Sequence, residues 1–336
     1  MSRGTNPGTL AGKTILVTGG TGSFGNRVST HLKDMGPRRI IIYSRDEKKQ
    51  WEMQQRLPDF DYIIGDVRDP QRLSEAMRGV DIVFHAAALK QVPSCETYPF
   101  EAVQTNTIGS FNVCEAALRA GVQTMVALST DKAVKPVNAM GTSKAMMEKI
   151  VCSRNRVPLD TTFCCVRYGN VMGSRGSVIP LFRRQIEAGS PVTITVPQMT
   201  RFLMTLDESV SLVVHAMTRA VGGEIFVRKA PAATVADLAR AMILKYGNGR
   251  DVPISVVGIR PGEKLDEVLV NEYELPRSIE TPEYFTITPE YRPPAPGSCV
   301  DVPVGTEYTS ANTRRLTDPA DLGDLLDRVG LVEYYV

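Results

Sequence analysis

Short runs of apolar residues alternate with longer segments of mixed polarity through the first half of the chain. The runs show no clean alternation of apolar and polar positions, which is typical of parallel strands buried on both faces. The segments between them, such as Gly25–Met35 and Asn106–Ala120, repeat their apolar residues at helical spacing. This order predicts an α/β fold, a doubly wound parallel sheet. Its predicted strands are Thr14–Thr18, Arg39–Tyr43, Tyr62–Ile64, Asp81–His85, Thr124–Leu128 and Thr162–Val166.

The pattern changes in the second half and suggests a division into domains. Residues 1–168 hold the strand and helix alternation, whereas residues 169–285 mix short helical patterns with loops. The latter are expected to form mainly a smaller substrate-binding lobe over the carboxyl ends of the strands, where such sheets hold ligands. Segments around 201–230 are expected to return to the first domain. The tail, residues 286–336, is proline-rich and polar, and it could pack on this subunit or on a neighbour.

The composition is ordinary for a globular protein and excludes several classes of partner. Of the 336 residues 43% are hydrophobic and 23% are charged, and the formal net charge is only +2. Neither a general nucleic-acid binder nor a membrane-surface protein is indicated. No apolar run reaches the length of about 18 residues that a membrane span needs. Met1–Leu10 lacks the apolar centre of a signal peptide and predicts a short flexible lead-in.

The cysteines and histidines favour a cytoplasmic protein without a metal site. None of the six cysteines belongs to a CxxC pair, and several lie in apolar runs, as thiols do in a reducing cytoplasm. The three histidines, His31, His85 and His215, are scattered singly, so no structural metal is expected.

A glycine-rich turn follows the first predicted strand. Its sequence, TGGTGSFG, places Gly19, Gly22 and Gly25 between a strand and the start of a helix. In this context glycines let backbone amides approach a pyrophosphate, which the positive end of the helix attracts. Residues 1–168 are therefore predicted to be a dinucleotide-binding Rossmann domain.

The end of the second strand indicates which dinucleotide is bound. Asp46 lies where a Rossmann acid would bind the ribose 2′-hydroxyl of NAD, but Ser44 and Arg45 precede it and Lys49 follows. A guanidinium matches a phosphate bidentately, so this group favours the 2′-phosphate of NADP. The expected cofactor set is Gly19, Thr21, Gly22, Ser23, Phe24, Gly25, Ser44, Arg45, Asp46, Lys49, Asp66, Val67, Ala86, Lys90 and Lys144.

Several motifs carry a resemblance to a known family. In chain order between Lys13 and Glu267 they are TGGTGSFG, YSRDEKKQWEM, GDVRD, HAAALKQVP, LSTDKAVKP, VRYGNVMGSRGSVIP, MTRF and IRPGEK. In these motifs the chain resembles the inverting UDP-N-acetylglucosamine 4,6-dehydratases, which are extended short-chain dehydrogenases/reductases of polysaccharide biosynthesis. Two further segments, NAMGTSKAMMEK and KAPAAT, resemble the capsule subgroup of that family.

The resemblance implies dehydration of UDP-N-acetylglucosamine with NADP as a cofactor that is not consumed. Oxidation at C4 acidifies the C5 hydrogen, a base removes that proton, the C6 hydroxyl leaves, and hydride returns to C6. By resemblance Lys132 is the C5 base and Asp131 is the acid that protonates the departing C6 oxygen. A partly desolvated lysine beside another cation could titrate near neutrality, which suits a base.

The helix predicted after this pair departs from the superfamily's usual pattern. Lys144 occupies the lysine of a Tyr-x-x-x-Lys pair, one helical turn apart, and is expected to bind the nicotinamide ribose. The tyrosine position holds Met140, whose thioether has no acidic proton and cannot be the base for the C4 hydroxyl. Lys132 or a relay through Thr130 stays open as that base.

The resemblance also implies the substrate contacts. Arginines suit a diphosphate, a glutamate suits ribose hydroxyls, and Lys90 and Gln91 should face the sugar and the cofactor. The expected substrate set is Lys90, Gln91, Asn170, Ser177, Arg201, Arg260 and Glu263.

Other functions share several of these features. A UDP-sugar 4-epimerase or a dehydratase that retains C5 would have the same fold, although epimerases typically depend on the missing tyrosine. A non-catalytic NADP-binding sensor would explain Met140 but not the presence of Asp131, Lys132 and Lys144 together. Proteins of the resembled family are commonly hexamers built from dimers, so a homo-oligomer is expected.

Overall fold

The computed structural model describes residues 10–174 and 176–329. The sequence predicts a flexible lead-in over Met1–Leu10, and residues 1–9 of it lie outside the described residues. Leu10 itself is buried, with 1% of its surface exposed, and it packs into the hydrophobic core. The prediction is therefore wrong for Leu10.

The strands confirm the predicted α/β class. All six strands predicted from the sequence are present, and their ends differ from the prediction by no more than one residue. The strands are β1 (Thr14–Thr18), β2 (Arg39–Ser44), β3 (Asp61–Ile64), β4 (Ile82–His85), β5 (Thr124–Leu128), β6 (Thr162–Arg167), β7 (Asn170–Val171), β8 (Val192–Ile194), β9 (Thr200–Met204), β10 (Ile225–Arg228), β11 (Ala232–Thr234), β12 (Ile254–Val256), β13 (Val268–Val270), β14 (Ser278–Glu280), β15 (Tyr284–Ile287) and β16 (Tyr308–Thr309).

Helices separate most of these strands. The helices are α1 (Ser23–Lys33), α2 (Glu47–Arg56), α3 (Pro70–Ala76), α4 (Val92–Thr97), α5 (Pro99–Ala102), α6 (Gly109–Ala120), α7 (Ala139–Ser153), α8 (Val178–Glu187), α9 (Leu206–Arg219), α10 (Val235–Tyr246) and α11 (Pro319–Val329). The helix predicted over Asn106–Ala120 is divided, because a π-helical turn, Val103–Ile108, precedes α6.

A nine-stranded sheet forms the centre of the molecule. Its spatial order is β14-β15-β10-β6-β5-β4-β1-β2-β3. The strands from β3 to β10 in this order pair in parallel. Strand β15 pairs antiparallel with both of its neighbours, β10 and β14. Reversal of the strand order beside β1 creates the crevice at the carboxyl ends of the strands where such sheets bind ligands.

Both faces of this sheet are covered, which explains the unbroken apolar runs in the sequence. Leu16, Val83 and Met125 pack with helices on one face, and Val17 and Phe84 pack with helices on the other. Successive residues of a strand point to opposite faces, so both sets must be apolar when both faces are buried.

A smaller apolar cluster and short sheets lie beyond the main sheet. Helices α8, α10 and α11 pack around β8 and β9, and β16 pairs with β13. The tail thus packs on its own subunit: Leu322, Leu325 and Leu326 of α11 are buried in this cluster. Within the described residues, no helix has both the length and the apolarity required to cross a lipid bilayer.

The division into domains stays a prediction, but the strands β14 and β15 belong to a different part of the molecule from the one expected. Residues 278–285 were expected in the smaller lobe, whereas β14 and β15 complete the edge of the large sheet. β15 pairs antiparallel with β10, and this contact joins segments that are far apart in the sequence. Short antiparallel edge strands carry little local pattern by which they could be assigned.

Candidate active site

A cavity of about 860 Å³ lies at the carboxyl ends of the parallel strands. Loops after β1, β2, β3, β4, β5 and β6 all reach it. Every residue of the expected cofactor set lines it. The other expected residues that line it are Thr130, Asp131, Lys132, Met140, Gln91, Asn170, Ser177, Arg260 and Glu263.

The glycine turn brings backbone close to backbone at one end of the cavity. Gly19 has φ +65°, and a Cβ there would lie 2.7 Å from the amide nitrogen of Ala87. A Cβ on Gly25 would lie 2.5 Å from the Cα of Gly20, so only glycine lets α1 begin this near β1. Helix α1 has no side-chain cap and no acidic residue in its first turn, which leaves its positive end suited to a pyrophosphate.

The residues expected to bind the ribose lie together after β2. Thr21 Oγ1 donates to Ser44 Oγ over 3.1 Å, and the Arg45 guanidinium lies 3.6 Å from Asp66 with about half of its side chain exposed. The Asp46 carboxylate accepts from the Lys49 amide as the N-cap of α2, and Lys49 Nζ lies 2.5 Å from its second oxygen. Both oxygens of the Asp46 carboxylate are thus engaged within α2.

The Asp131–Lys132 pair lies on a tight turn directly after β5. Thr130 caps this 3-10 turn, and its hydroxyl donates to Asp131 Oδ1 over 2.8 Å. Lys132 Nζ donates to the same oxygen over 3.0 Å. Asp131 is 1% exposed, whereas about a quarter of the Lys132 side chain is exposed. The pair is therefore a buried acid joined to a lysine that reaches the cavity.

A second carboxylate, Glu267, contacts Lys132 and changes the expected electrostatics. Its Oε1 lies 3.3 Å from Lys132 Nζ. Burial lowers the pKa of Lys132, but the negative charges of Asp131 and Glu267 outweigh it and raise the pKa overall. We expected a neighbouring cation to lower the pKa of Lys132 towards neutral pH. This expectation is wrong, because the nearest charged neighbours of Lys132 are acids.

Helix α7 presents Met140 and Lys144 to the same cavity. Asn138 caps α7 by accepting from the Gly141 amide over 2.7 Å. Lys144 is buried, its Nζ donates to the Leu128 carbonyl over 2.6 Å, and burial lowers its pKa to about 8. A Cβ on Gly141 would lie 2.2 Å from the carbonyl oxygen of Lys132, so α7 packs closely on the turn that carries Asp131 and Lys132.

Met140 is 4% exposed and belongs to a small apolar cluster with Cys95 and Ala102. Leu89 and Val92, which also line the cavity, pack against this cluster. The thioether thus lies in an apolar wall rather than in a polar network.

Four further residues of the expected substrate set, Asn170, Ser177, Arg260 and Glu263, line the cavity. Asn170 Oδ1 and Ser177 Oγ are buried and have no hydrogen-bond partner among the described residues. Asn138 Nδ2 donates to the Gly262 carbonyl over 2.8 Å and so fastens the loop that carries Arg260 and Glu263 to α7. Asn170 Oδ1 and Ser177 Oγ are therefore available to a polar ligand.

Arg201 is not brought to the cavity with the other residues of the substrate set. Its guanidinium donates to the carbonyls of Thr200, Lys264 and Leu265, and its Nε lies 3.9 Å from Glu267. Arg201 therefore supports the segment that carries Glu267. Its expected contact with a substrate diphosphate finds no support in this placement.

Sequence reasoning missed Tyr168, Glu267 and Thr105. Tyr168 lines the cavity, its carbonyl accepts from the Asp131 amide, and burial raises the pKa of its phenol. Its position at the carboxyl end of β6 is a signal that could have identified it. Thr105 lines the cavity from the π-helical turn, a local irregularity that the helical pattern conceals.

Comparison with known proteins identifies the family. The chain matches the family model described as polysaccharide biosynthesis protein over residues 15–289. It belongs to this family. A UDP-glucose 4-epimerase of Rickettsia conorii, which this polysaccharide biosynthesis protein resembles, is 47% identical over 323 residues. The aligned region covers 90% of this chain and 92% of the epimerase.

Solved structures resemble this member of the polysaccharide biosynthesis family along most of its length. Pen from Bacillus thuringiensis has a TM-score of 0.87 at 35% identity, covering 95% of this chain and 99% of Pen. DesIV from Streptomyces venezuelae, a dTDP-glucose 4,6-dehydratase with NAD and TYD bound, has a TM-score of 0.68 at 22% identity. That match covers 75% of this chain and 86% of DesIV, and it shows a shared fold only.

Proposed function

We propose that this protein is a nucleotide-sugar-modifying enzyme of the short-chain dehydrogenase/reductase type that dehydrates UDP-N-acetylglucosamine. The product is a UDP-4-keto-6-deoxy-N-acetylhexosamine with inverted C5, a precursor for surface polysaccharide or glycan. The observation that carries this proposal is the buried Asp131–Lys132 pair in a cavity that holds Met140 at the position of a tyrosine base.

The residues present fit a nicotinamide dinucleotide. The glycine turn, the uncapped end of α1, and Ser44, Arg45 and Lys49 form one continuous wall of the cavity. NADP, when bound, supplies the chemistry of accepting hydride from C4 and returning it to C6. Lys144 would hold the nicotinamide ribose, and its positive charge would favour loss of a proton from nearby hydroxyls.

The chain's own residues divide the elimination between them. Lys132 would take the C5 proton once C4 is a ketone, and Asp131 would give a proton to the C6 oxygen so that water leaves. Thr130, bonded to Asp131, could relay the C4 hydroxyl proton to this cluster. Arg260 and Glu263, with Asn170 and Gln91, would hold the UDP portion and the sugar.

A UDP-sugar 4-epimerase is the second candidate, and the Rickettsia conorii relative of that name favours it. An epimerase takes the proton of the C4 hydroxyl and the hydride of C4, returns that hydride to the opposite face, and needs no acid at C6. Met140 cannot serve as the C4 base, and Asp131 beside Lys132 supplies an elimination pair for which epimerisation has no use.

One experiment separates these reactions. The purified protein is incubated with NADP and UDP-N-acetylglucosamine, or with UDP-glucose, in deuterated water, and products are followed by NMR. The dehydratase forms a 6-deoxy product that carries deuterium at C5. Formation of the C4 epimer alone would establish the epimerase, and binding of NADP without turnover would favour the sensor.

Arg45 provides the test of cofactor choice. Arg45→Ala should weaken NADP binding about ten- to a hundred-fold, because a charge-assisted hydrogen bond to phosphate is lost, and should leave NAD binding nearly unchanged. Lys48→Ala is the matched control, since Lys48 is an exposed cation in the first turn of α2 that pairs with Glu52. Titration calorimetry with both dinucleotides measures the effect. Equal weakening of both would remove the assignment of Arg45 to the 2′-phosphate.

We also propose that the chain forms a homo-oligomer through an apolar face of α5, the π-helical turn Val103–Ile108, α6 and α7. Phe100, Val103, Phe111 and Met146 are exposed there, with Phe100 65% exposed, although these helices pack on one another. Burying one phenylalanine contributes about 1.5–3 kcal/mol, and a symmetric interface does so twice.

Phe111→Glu should therefore weaken self-association by at least about a hundred-fold, measured by light scattering over a dilution series. Leu244→Glu is the control, because Leu244 is an exposed apolar residue on α10. If Phe111→Glu keeps the wild-type mass at every concentration, the face is not the interface.

A further inference from the structure

Two buried carboxylates flank a single ammonium beside the cavity. Asp131 Oδ1 and Glu267 Oε1 lie 3.0 and 3.3 Å from Lys132 Nζ, and the two acids are 1% and 2% exposed. The second oxygen of each, Asp131 Oδ2 and Glu267 Oε2, is buried without a hydrogen-bond partner among the described residues. An ion pair needs only one of these acids.

Two further cations, Arg201 and Lys264, lie near the cluster, but their hydrogen bonds among the described residues go to other acceptors. Arg201 Nε lies 3.9 Å from Glu267, and Lys264, whose pKa is lowered by burial, directs its Nζ to the Val134 carbonyl. Tyr168 is the remaining titratable group near Asp131. Burial and the charge of Asp131 raise the pKa of Glu267. Both carboxyl groups lie against the same ammonium in a buried site, so the protonation of one affects the protonation of the other.

The position of Glu267 is set by the tail of the chain. Its amide donates to Ser310 Oγ over 2.8 Å, and the Ser310 amide donates back to the Glu267 carbonyl over 2.8 Å. Ser310 is fully buried. Glu267 does not line the cavity, so any role in the reaction passes through Lys132.

We propose that Glu267 is a positioning residue that shares one proton with Asp131 and accepts another from Lys132, so that a neutral amine and a protonated Asp131 exist together. The inference rests on the proposed dehydration. A simple aspartate–lysine pair holds its proton on the lysine and offers neither a base for C5 nor an acid for C6. The additional carboxyl group removes that conflict.

The protons balance over the elimination. An N–H bond of the Lys132 ammonium breaks, and an O–H bond forms on Glu267 Oε1. The neutral amine then takes the C5 proton, the electron pair of that C–H bond forms the C5–C6 double bond, and the C6 oxygen leaves as water with the Asp131 proton. Lys132 is again an ammonium and Glu267 holds the proton that the two carboxyl groups share. The cluster therefore ends with as many protons as it began with.

The test compares Glu267→Gln with Glu267→Asp by kcat, KM and pH profile, using NMR detection of the 6-deoxy product. The amide of Glu267→Gln keeps the size and a hydrogen-bond acceptor but cannot take a proton. We expect kcat to fall about a hundred-fold and KM to change less than about two-fold. Glu267→Asp keeps a carboxyl group and should recover much of the rate. Asp266→Asn is the matched control, because Asp266 accepts from Thr200 and not from Lys132.

The pH profile distinguishes proton transfer from support of the fold. A carboxyl group with a raised pKa holds its proton below that pKa and loses it as pH rises. Wild-type kcat should therefore fall as pH increases through the ionisation of Glu267. Glu267→Gln should be slow, and its plot of kcat against pH should lack this particular fall.

The outcomes separate the two proposals. Wild-type elimination together with an unchanged rate and pH profile in Glu267→Gln overturns the role of Glu267 alone. A wild type that forms no 6-deoxy product overturns the dehydration and this role with it. If Glu267→Gln fails to fold, Glu267→Asp provides the test. A fall of kcat at a different pH from wild type supports the proposal, and a fall at the same pH overturns it.

Discussion

Lys132→Ala is expected to abolish formation of the 6-deoxy product, with a loss on the order of 10⁴-fold in kcat. A positioned general base contributes about 10²–10⁴-fold, and the alanine would also leave Asp131 and Glu267 as two buried carboxyl groups without their shared cation. Both the base and the acid of the proposed elimination are thus disturbed at once. Product NMR in deuterated water measures the effect, and deuterium at C5 should disappear with the product.

Lys132→Arg is the control for charge. The guanidinium keeps the cation between the two acids, so the variant should fold and bind NADP, but it cannot be deprotonated and cannot take the C5 proton. It should be as inactive as Lys132→Ala. An arginine variant that eliminates water near the wild-type rate would show that Lys132 acts by its charge and that another group is the base.

The central sheet could be predicted because its signals are local. Residues such as Leu16 and Val17 are both buried, on opposite faces, so each parallel strand is a short unbroken apolar run. β14 and β15 lacked such a signal. They join the sheet by antiparallel pairing with β10, a contact between distant segments that no local pattern records.

Much of the candidate site could be assigned for the same reason, since most of its residues directly follow strands. Asp131 follows β5 and Gly19 follows β1, and parallel strands end at one edge of the sheet. Arg201 shows the limit of this reasoning. It lies on β9, outside the large sheet, and its guanidinium is occupied by backbone carbonyls instead of facing the cavity.

The electrostatics of Lys132 could not be predicted because its partner lies far along the chain. The sequence shows Asp131 beside it, but Glu267 is positioned by pairing of β13 with β16 and by Ser310 of the tail. The charges of Asp131 and Glu267 raise the pKa of Lys132, whereas the sequence led us to expect desolvation and a neighbouring cation to lower it. A lysine that titrates below its usual range does exist in the cavity, but it is Lys144, which has no carboxylate within hydrogen-bonding reach among the described residues.

Lys144→Ala is expected to lower kcat by about 10²–10⁴-fold, because in the proposed function this ammonium holds the nicotinamide ribose and supplies the local positive potential. Burial lowers the pKa of Lys144 to about 8, so the group is charged below that pH and loses its charge above it. Wild-type activity should therefore show a separate decline as pH rises through about 8, and Glu267→Gln should keep this decline. Calorimetric titration with NADP, run beside the rate measurements, shows whether binding falls with the rate.

Met140→Leu should retain most activity and keep the same decline on the basic side. Met140 is buried among Cys95, Ala102 and Leu89, and a volume-conserving apolar replacement in such a cluster usually costs less than about 1.5 kcal/mol. Met140→Tyr supplies the phenol of the superfamily's Tyr-x-x-x-Lys pair, yet it should give no gain. Its ring would crowd an apolar wall, and in the proposed elimination Lys132 and Asp131 are already the base and the acid. The three variants are compared by kcat and KM over the same pH range. If Met140→Leu is as inactive as Lys144→Ala while folded and bound to NADP, the sulfur has a specific role in the reaction. If Met140→Tyr exceeds the wild-type rate, the methionine limits an enzyme whose C4 proton is better taken by a phenol.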